Sequence, residues 1–393
     1  MSCIFARQPR RERFKVHQEF SEVQLQLAAT VADFVSSEVL PNAGAWDEEH
    51  RFPIEQVRMM GEMGLFGIVF PEEYGGGAGD FTSFCLAVEE LAKGDASIAI
   101  TLSAGVGLGA NPIYQFGGEE QRQRWLPQLC TGSALAAFGL TEPDAGSDAG
   151  ATQSRAERTG SGWRISGSKA YITNSGTEMT KVITVTARTG QGISAFVIPA
   201  GAPGLTVEPA YRKLGWHASD THGLTLDGVE VGEESLLGEE GRGFRQFLAI
   251  LDDGRISVAA LALGQAEACL RESLAYAKTR NAFGGPIGRF QAIAFKIADM
   301  ETAIEAARAL VYRAAGLKDH GAPFKKEAAV AKLFATEAAV AAAREAVQIF
   351  GGAGFIEESP VARYFRDSKI LEIGEGTSEI QRMVIARSLG LPV

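Results

Sequence analysis

Cysteine and histidine are both scarce in this 393-residue chain, four of the first and five of the second. The cysteines (Cys3, Cys85, Cys130 and Cys269) are widely scattered and form no C-x-x-C pair. A disulfide framework is therefore not expected, and a reducing compartment fits. Among the histidines only His217 and His222 stand close together, and nothing near them completes a ligand set, so no metal site is expected. Basic residues are outnumbered: 38 Lys and Arg against 48 Asp and Glu give a net charge of −10. A phosphate-backbone binder needs a basic face, so nucleic acid is not an expected partner. No secretory signal opens the chain. Long apolar runs are also rare. One uncharged window, Ala96 to Gly118, is interrupted by Ser97, Thr101, Ser103, Asn111, Pro112 and Gln115. It reads as buried helix and turn, not as a membrane span.

What is present is ordinary globular composition, 46% hydrophobic and 22% charged, in a chain long enough for two or three domains. Residues 1–18 are Arg-rich and are expected to be a disordered basic tail; a mitochondrial transit peptide is the alternative. The expected location is accordingly cytoplasmic, or the mitochondrial matrix under that alternative. Residues 19–130 carry helical periodicity, with Val23, Leu27, Val31 and Phe34 on one stripe. Across 131–240 the character changes. Short Val, Ile and Thr runs (163–165, 182–185, 195–198, 205–207) alternate with glycine turns at 160–162 and 189–192, which predicts a β-domain. From 241 to 393 helices return: Ile293, Ile297, Met300, Ile304, Ala307 and Val311 form a stripe, and Ala328 to Val347 is alanine-rich. The predicted class is α+β, with an N-terminal helical domain, a central β-domain and a C-terminal helical bundle.

Four segments carry chemistry. Gly139-Leu140-Thr141-Glu142-Pro143-Asp144-Ala145-Gly146-Ser147-Asp148 presents backbone N–H groups and hydroxyls in a loop, which suits a bound ligand. Tyr171-Ile172-Thr173-Asn174-Ser175 has similar chemistry or is a plain strand end. Gln348 to Phe355 is glycine-rich but follows a helix, and its spacing is not a dinucleotide fingerprint; Gly105, Gly107 and Gly109 fail for the same reason. Finally, Glu375 stands between Gly374 and Gly376, just before the helix start at Thr377 and Ser378. That suits a positioned base or a surface turn.

Taken together, these segments resemble the acyl-CoA dehydrogenase family, from about Glu22 to the C-terminus. One signature is Gly139-Leu140-Thr141-Glu142-x-x-Ala145-Gly146-Ser147-Asp148-x-x-Ala151; the other is Gln348-x-x-Gly351-Gly352-x-Gly354-Phe355-x-x-Glu358-x-x-x-x-Arg363-x-x-x-Asp367. Arg280-x-x-Phe283-Gly284, Phe290-Gln291 and Glu375-Gly376-Thr377-Ser378 follow in the expected order. The resemblance implies a helical domain, a β-domain and a four-helix bundle, with FAD between the last two, usually in a homotetramer. It implies flavin contacts from Phe138, Leu140, Thr141, Gly146, Ser147, Tyr171, Ile172 and Thr173. Thr377 and Glu379 would also touch the cofactor; many relatives carry Gln in place of Glu379. Arg280, Phe283 and Gln291 would hold its pyrophosphate and adenosine part, and Gln348, Gly351 and Gly352 would reach it from a neighbouring subunit.

The implied reaction converts an acyl-CoA thioester to its trans-2-enoyl-CoA. Glu375 would remove the α-proton, flavin N5 would accept the β-hydride, and an electron-transfer flavoprotein would take the electrons. Ser147, Asp252, Arg255 and Gly376 match the substrate-binding positions. Some branches of the family place the base on a bundle helix, at a position occupied here by Gly254. Gly374 stands where several straight-chain enzymes carry Tyr, a hint toward branched or bulky acyl groups. An acyl-CoA oxidase, a flavin monooxygenase of the same fold and a non-catalytic flavoprotein are the alternatives; the presence of Glu375 argues against the last two.

Overall fold

A computed structural model describes residues 20–393; the basic tail at 1–18 lies outside the described residues. Seven helices come first: α1 (Glu22–Phe34), α2 (Ala43–Glu49), α3 (Ile54–Glu62), α4 (Phe81–Gly94), α5 (Ala96–Ser103), α6 (Asn111–Phe116) and α7 (Glu119–Cys130). Ser21 caps α1 in a reciprocal box with Gln24, which satisfies two N–H groups left free by the first turn. The α1 stripe is narrower than its spacing suggests. Val31 and Phe34 are buried, but Val23 is exposed.

The window from 96 onward does not break into helix and turn. It continues from α5 through a π-helical stretch, Ala104–Ala110, into α6, and 89% of it is buried inside the fold. Glycine makes that burial feasible. A Cβ on Gly109 would stand 2.6 Å from the Ala136 carbonyl oxygen, so only glycine lets this helix lie directly on the first strand.

The strands are β1 (Leu135–Gly139), β2 (Arg155–Arg158), β3 (Gly162–Thr173), β4 (Thr180–Thr189), β5 (Gly192–Pro199), β6 (Leu205–Val207) and β7 (Thr221–Gly232). They form one mixed sheet in the order β1-β4-β2-β3-β7-β6, with β5 also paired to β4. β4 is central and covered on both faces, which is why Val182, Ile183 and Val185 read as a continuous apolar run. β1 and β7 escape sequence patterning, since Leu135-Ala136-Ala137 lacks β-branched residues and β7 holds Gly223, Asp227 and Gly228. Pairing to β4 and β3 makes them strands.

The C-terminal part opens with α8 (Gly243–Thr279) and a short hairpin, β8 (Asn281–Ala282) and β9 (Gly285–Pro286). It continues with α9 (Gln291–Asp319), α10 (Lys325–Phe350), α11 (Pro360–Ser368) and α12 (Ser378–Ser388). α8, α9 and α10 run up, down and up. Lys318 of α9 pairs with Asp253 of α8 at one end (2.8 Å), and Tyr276 of α8 stacks on Phe350 of α10 at the other (4.1 Å). α12 packs against α10. Small side chains allow the close approach: Ala328, Ala331, Ala335, Ala339, Ala342, Ala343 and Ala346 are all buried.

Candidate active site

The loop Thr141–Ser147 is built on a buried ion pair. Glu142 and Ala145 exchange backbone hydrogen bonds, which closes a tight turn. The Glu142 carboxylate points inward, accepts from the Gln153 (2.5 Å) and Ser154 (3.1 Å) N–H groups, and meets Lys169 Nζ at 2.7 Å. Burial pushes the Lys169 ammonium down to about 8, while Glu142 pulls the other way. The turn leaves Gly146 and Ser147 on the surface, and a Cβ at Gly146 would meet open space.

At the end of β3 the pairing with β7 slips between Lys169 and Ile172. Tyr171 takes a left-handed φ of 60° there, and the residue is 66% exposed. Ile172 turns into the core and Thr173 is half-buried. A bulge of this kind re-aims a side chain. Asn174, also left-handed, donates through Nδ2 to the Thr101 carbonyl at 3.0 Å, tying this segment to α5. Ser103 of α5 then donates to Ser257 of α8 at 2.9 Å, one turn beyond Gly254.

Glu375 lies against that same turn of α8. A Cβ on Gly254 would collide with Glu375 Oε2. Glu375 sits at φ 53° and Gly376 at φ 97°, so the chain makes a left-handed turn before Thr377 caps α12 through the Ile380 N–H. Oε2 is shielded from solvent and has no hydrogen-bond partner. Burial raises the Glu375 carboxyl to about 7; the cations of Lys332 and Arg255 oppose the shift. Arg255 is itself buried and paired with Asp252, whose carboxyl burial also raises. The Arg255 Nε has no partner. The β-domain loops, α5, Gly254, Arg255 and Glu375 thus form one connected site.

Another group of expected residues lies elsewhere. Arg280 follows the end of α8, about 37 Å along the helix axis from Arg255. Phe283 is 88% exposed at a left-handed φ of 51°, and Gln291 is exposed nearby. The Tyr276–Phe350 stack places Gln348, Gly351 and Gly352 at this same end, exposed. A Cβ at either glycine would meet nothing. These residues therefore lie together at the end of the bundle remote from Glu375.

Sequence reasoning missed two lysines here, and named Gly254 without the room its missing side chain leaves for Glu375. Lys332 is fully buried on α10 and donates to the Gly376 carbonyl at 2.8 Å. Lys169 anchors the first loop, and Gly254 makes room for Glu375. A lysine inside an alanine-rich helix was the available signal for the first. His217 lies between Asp47 of α2 and the Lys213 carbonyl, and His50 stacks on it at 3.9 Å.

A helical domain, a mixed sheet and an all-α bundle are the architecture in which the shielded Glu375 carboxylate sits. The acyl-CoA dehydrogenase N-terminal, middle and C-terminal domain families match residues 21–133, 137–229 and 241–390, respectively. The chain belongs to the acyl-CoA dehydrogenase family. It is 45% identical to the mitochondrial short-chain specific acyl-CoA dehydrogenase of Rattus norvegicus, over 94% of this chain and 91% of that one. It is 44% identical to an acyl-CoA dehydrogenase of Bacillus subtilis, over 94% and 98%. Among solved structures, butyryl-CoA dehydrogenase from Megasphaera elsdenii superposes with a TM-score of 0.92 at 45% identity, covering 95% of this chain and 99% of that one. A chain from work on the electron transferring flavoprotein of Acidaminococcus fermentans gives 0.93 at 45%, with the same coverage. An acyl-CoA dehydrogenase from Bacillus anthracis complexed with FAD gives 0.90 at 35%, covering 95% and 69%.

Proposed function

We propose that this protein catalyses the FAD-dependent α,β-dehydrogenation of a short-chain acyl-CoA thioester, with Glu375 as the base for the α-proton. The observation that carries the reading is a carboxylate with one oxygen sealed from water and unpartnered, beside a buried arginine. A glutamate at its ordinary value near 4.5 is a weak base for a carbon acid, and burial has moved this one to about 7.

The residues present fit FAD. The exposed Tyr171 and the open surface at Gly146 leave one cradle uncovered, and Phe283 with Gly351 and Gly352 leaves the other. Phe138, Leu140, Thr141, Gly146, Ser147, Tyr171, Ile172, Thr173, Thr377 and Glu379 would hold the ring system and ribityl part. Arg280, Phe283, Gln291, Gln348, Gly351 and Gly352 lie too far from Glu375 to serve the same cofactor, so they would serve that of a second copy. This division calls for a second copy of the chain, and a homotetramer is the assembly we propose. When bound, FAD supplies the acceptor for the hydride from the β-carbon.

The chain's own residues do the rest. Arg255 and Asp252, with Ser147 and the Gly376 backbone, would orient the thioester and its pantetheine arm. Among the described residues the Glu375 N–H makes no hydrogen bond, which leaves it free to donate to the thioester oxygen as negative charge develops there. Substrate binding would expel the remaining water around the carboxylate. An electron-transferring flavoprotein is the electron acceptor that fits, given the chain similar to this one from work on such a protein. A cytoplasmic location fits the bacterial relative.

Short acyl groups are favoured by the short-chain and butyryl-CoA relatives. A second reading, branched acyl groups, has its own support: a Cβ at Gly374 would meet only the Ile370 carbonyl oxygen, at 3.4 Å. The test is the flavin absorbance of the purified protein during anaerobic titration with butyryl-CoA and isobutyryl-CoA. Bleaching by butyryl-CoA in wild type but not in Glu375→Gln, with FAD retained in both, is expected. Turnover by Glu375→Gln near the wild-type rate would overturn the base assignment.

A further inference from the structure

We propose that Lys332 is a positioning residue for Glu375, its ammonium fixing the backbone turn that aims the carboxylate while its charge acts on that carboxylate. The inference rests on the proposed role of Glu375 as base.

Lys332 lies mid-helix in α10 with no exposed surface. A helix interior packed on alanine gains more from an apolar side chain, because burying an ammonium is costly unless it is paired. Nζ donates to the Gly376 carbonyl at 2.8 Å. Gln381 Nε2, from α12, donates to the same oxygen, also at 2.8 Å. One carbonyl is thus held from two helices, in the turn where Glu375 and Gly376 are both left-handed. Residues other than glycine tend to leave that conformation when unrestrained. Glu375 Oε2 has no polar partner, so nothing at the tip of the side chain compensates. The backbone sets the aim of the carboxylate, and the clamp sets the backbone.

Two cations act on Glu375, from two helices. Arg255, balanced by Asp252, faces it from α8; Lys332 faces it from α10. Lys332 also feels Glu372, in the turn before Glu375, and Glu337 of α10, which pairs with Arg382 of α12. Burial raises the Glu375 carboxyl, and Lys332 is the largest opposing influence. Its own ammonium is pushed down to about 8 by burial.

The two roles separate by substitution. Lys332→Gln keeps an N–H for the Gly376 carbonyl and removes the charge. Lys332→Met removes both, and Lys332→Arg keeps both. The readouts, on holoenzyme, are the pH profile of kcat/KM and the carboxylic-acid C=O infrared band, taken as the difference from Glu375→Gln. Lys332→Gln should move the midpoint of both upward by about one pH unit, with Lys332→Arg returning it toward the wild-type position. Lys332→Met should show the same shift and also lose about 10-fold or more on the high-pH plateau. Midpoints and plateau at wild-type values in Lys332→Gln and Lys332→Met, even with a lowered Tm, would overturn the proposal and leave Lys332 a packing residue. Unaltered turnover in Glu375→Gln would instead remove the base assignment beneath it, so the two failures are distinguishable.

Discussion

The Glu375 carboxylate occupies the space that a side chain on Gly254 would need: any Cβ there would collide with Oε2. The two residues are 121 positions apart in sequence, on α8 and on the turn before α12. The absence of a side chain at one is therefore a condition for the present placement of the other.

Gly254→Ala should leave the helix intact, since alanine is the better helix former, and should displace only the flexible end of Glu375. Displacements near 1 Å at a reacting group cost up to about 100-fold. We expect kcat to fall about 10- to 100-fold with FAD content and Tm near wild type. Steady-state kinetics alongside a thermal melt check this, and a wild-type kcat would show that the carboxylate can work from elsewhere.

The raised Glu375 value has a consequence for both rate and stability. The base must be ionised, so kcat/KM should climb as pH rises through about 7. For stability the sign is opposite. A carboxyl raised in the fold contributes stability below its unfolded value near 4.5 and loses that contribution as pH rises through about 7. Glu375→Gln should therefore be more stable than wild type above pH 7, by up to ~3 kcal/mol, with the difference vanishing near pH 4. Chemical denaturation of both proteins across that range measures it.

Lys169 and Glu142 are both almost wholly buried and paired at 2.7 Å. Removing Lys169 leaves the buried Glu142 carboxylate with no cation, held only by the Gln153 and Ser154 N–H groups, and breaking a buried pair typically costs about 3–5 kcal/mol. Lys169→Met should lower stability by that order and loosen the Thr141–Ser147 loop, so FAD affinity should fall as well. Lys169→Met combined with Glu142→Leu should recover much of the stability but not the affinity, because the loop also depends on the N–H groups of Gln153 and Ser154 that bind the Glu142 carboxylate. Denaturation curves and flavin release by fluorescence separate the two effects.

Arg366 of α11 donates to Asp47 of α2 through both terminal guanidinium nitrogens, and His217 Nδ1 lies 3.0 Å from the same carboxylate. Asp47 is buried, so Arg366→Met should destabilise the fold by about 2–4 kcal/mol. His217→Ala should cost less, about 1 kcal/mol, because Arg366 remains. Neither change touches Glu375, so kcat per folded flavin-loaded enzyme should stay within about twofold of wild type. A large loss of kcat for His217→Ala would give that histidine a role in the chemistry.

Periodicity and turn chemistry carried much of the architecture. The buried stripe Met300 to Val311 and the apolar run of β4 follow from local pattern alone, because each buries a face its own sequence spells out. The loop at Thr141–Ser147, the segment at Tyr171–Thr173 and Glu375 between two glycines were legible as candidate pieces of a site; the left-handed turns at Tyr171 and Glu375 were not. Which helices would leave room for the carboxylate was not legible, nor was the fact that a lysine in an alanine-rich helix would reach the Gly376 carbonyl from 44 residues away. The separation of Arg280 and Gln348 from Glu375 could not be read from motif order either, because it depends on how far a 37-residue helix carries the chain. Backbone propensity and hydrophobic spacing act over a few residues, and they determined the elements. Exclusion of water, steric room and the field of distant charges act between elements, and only the tertiary structure decided where one glutamate is sealed from water with its carboxyl raised.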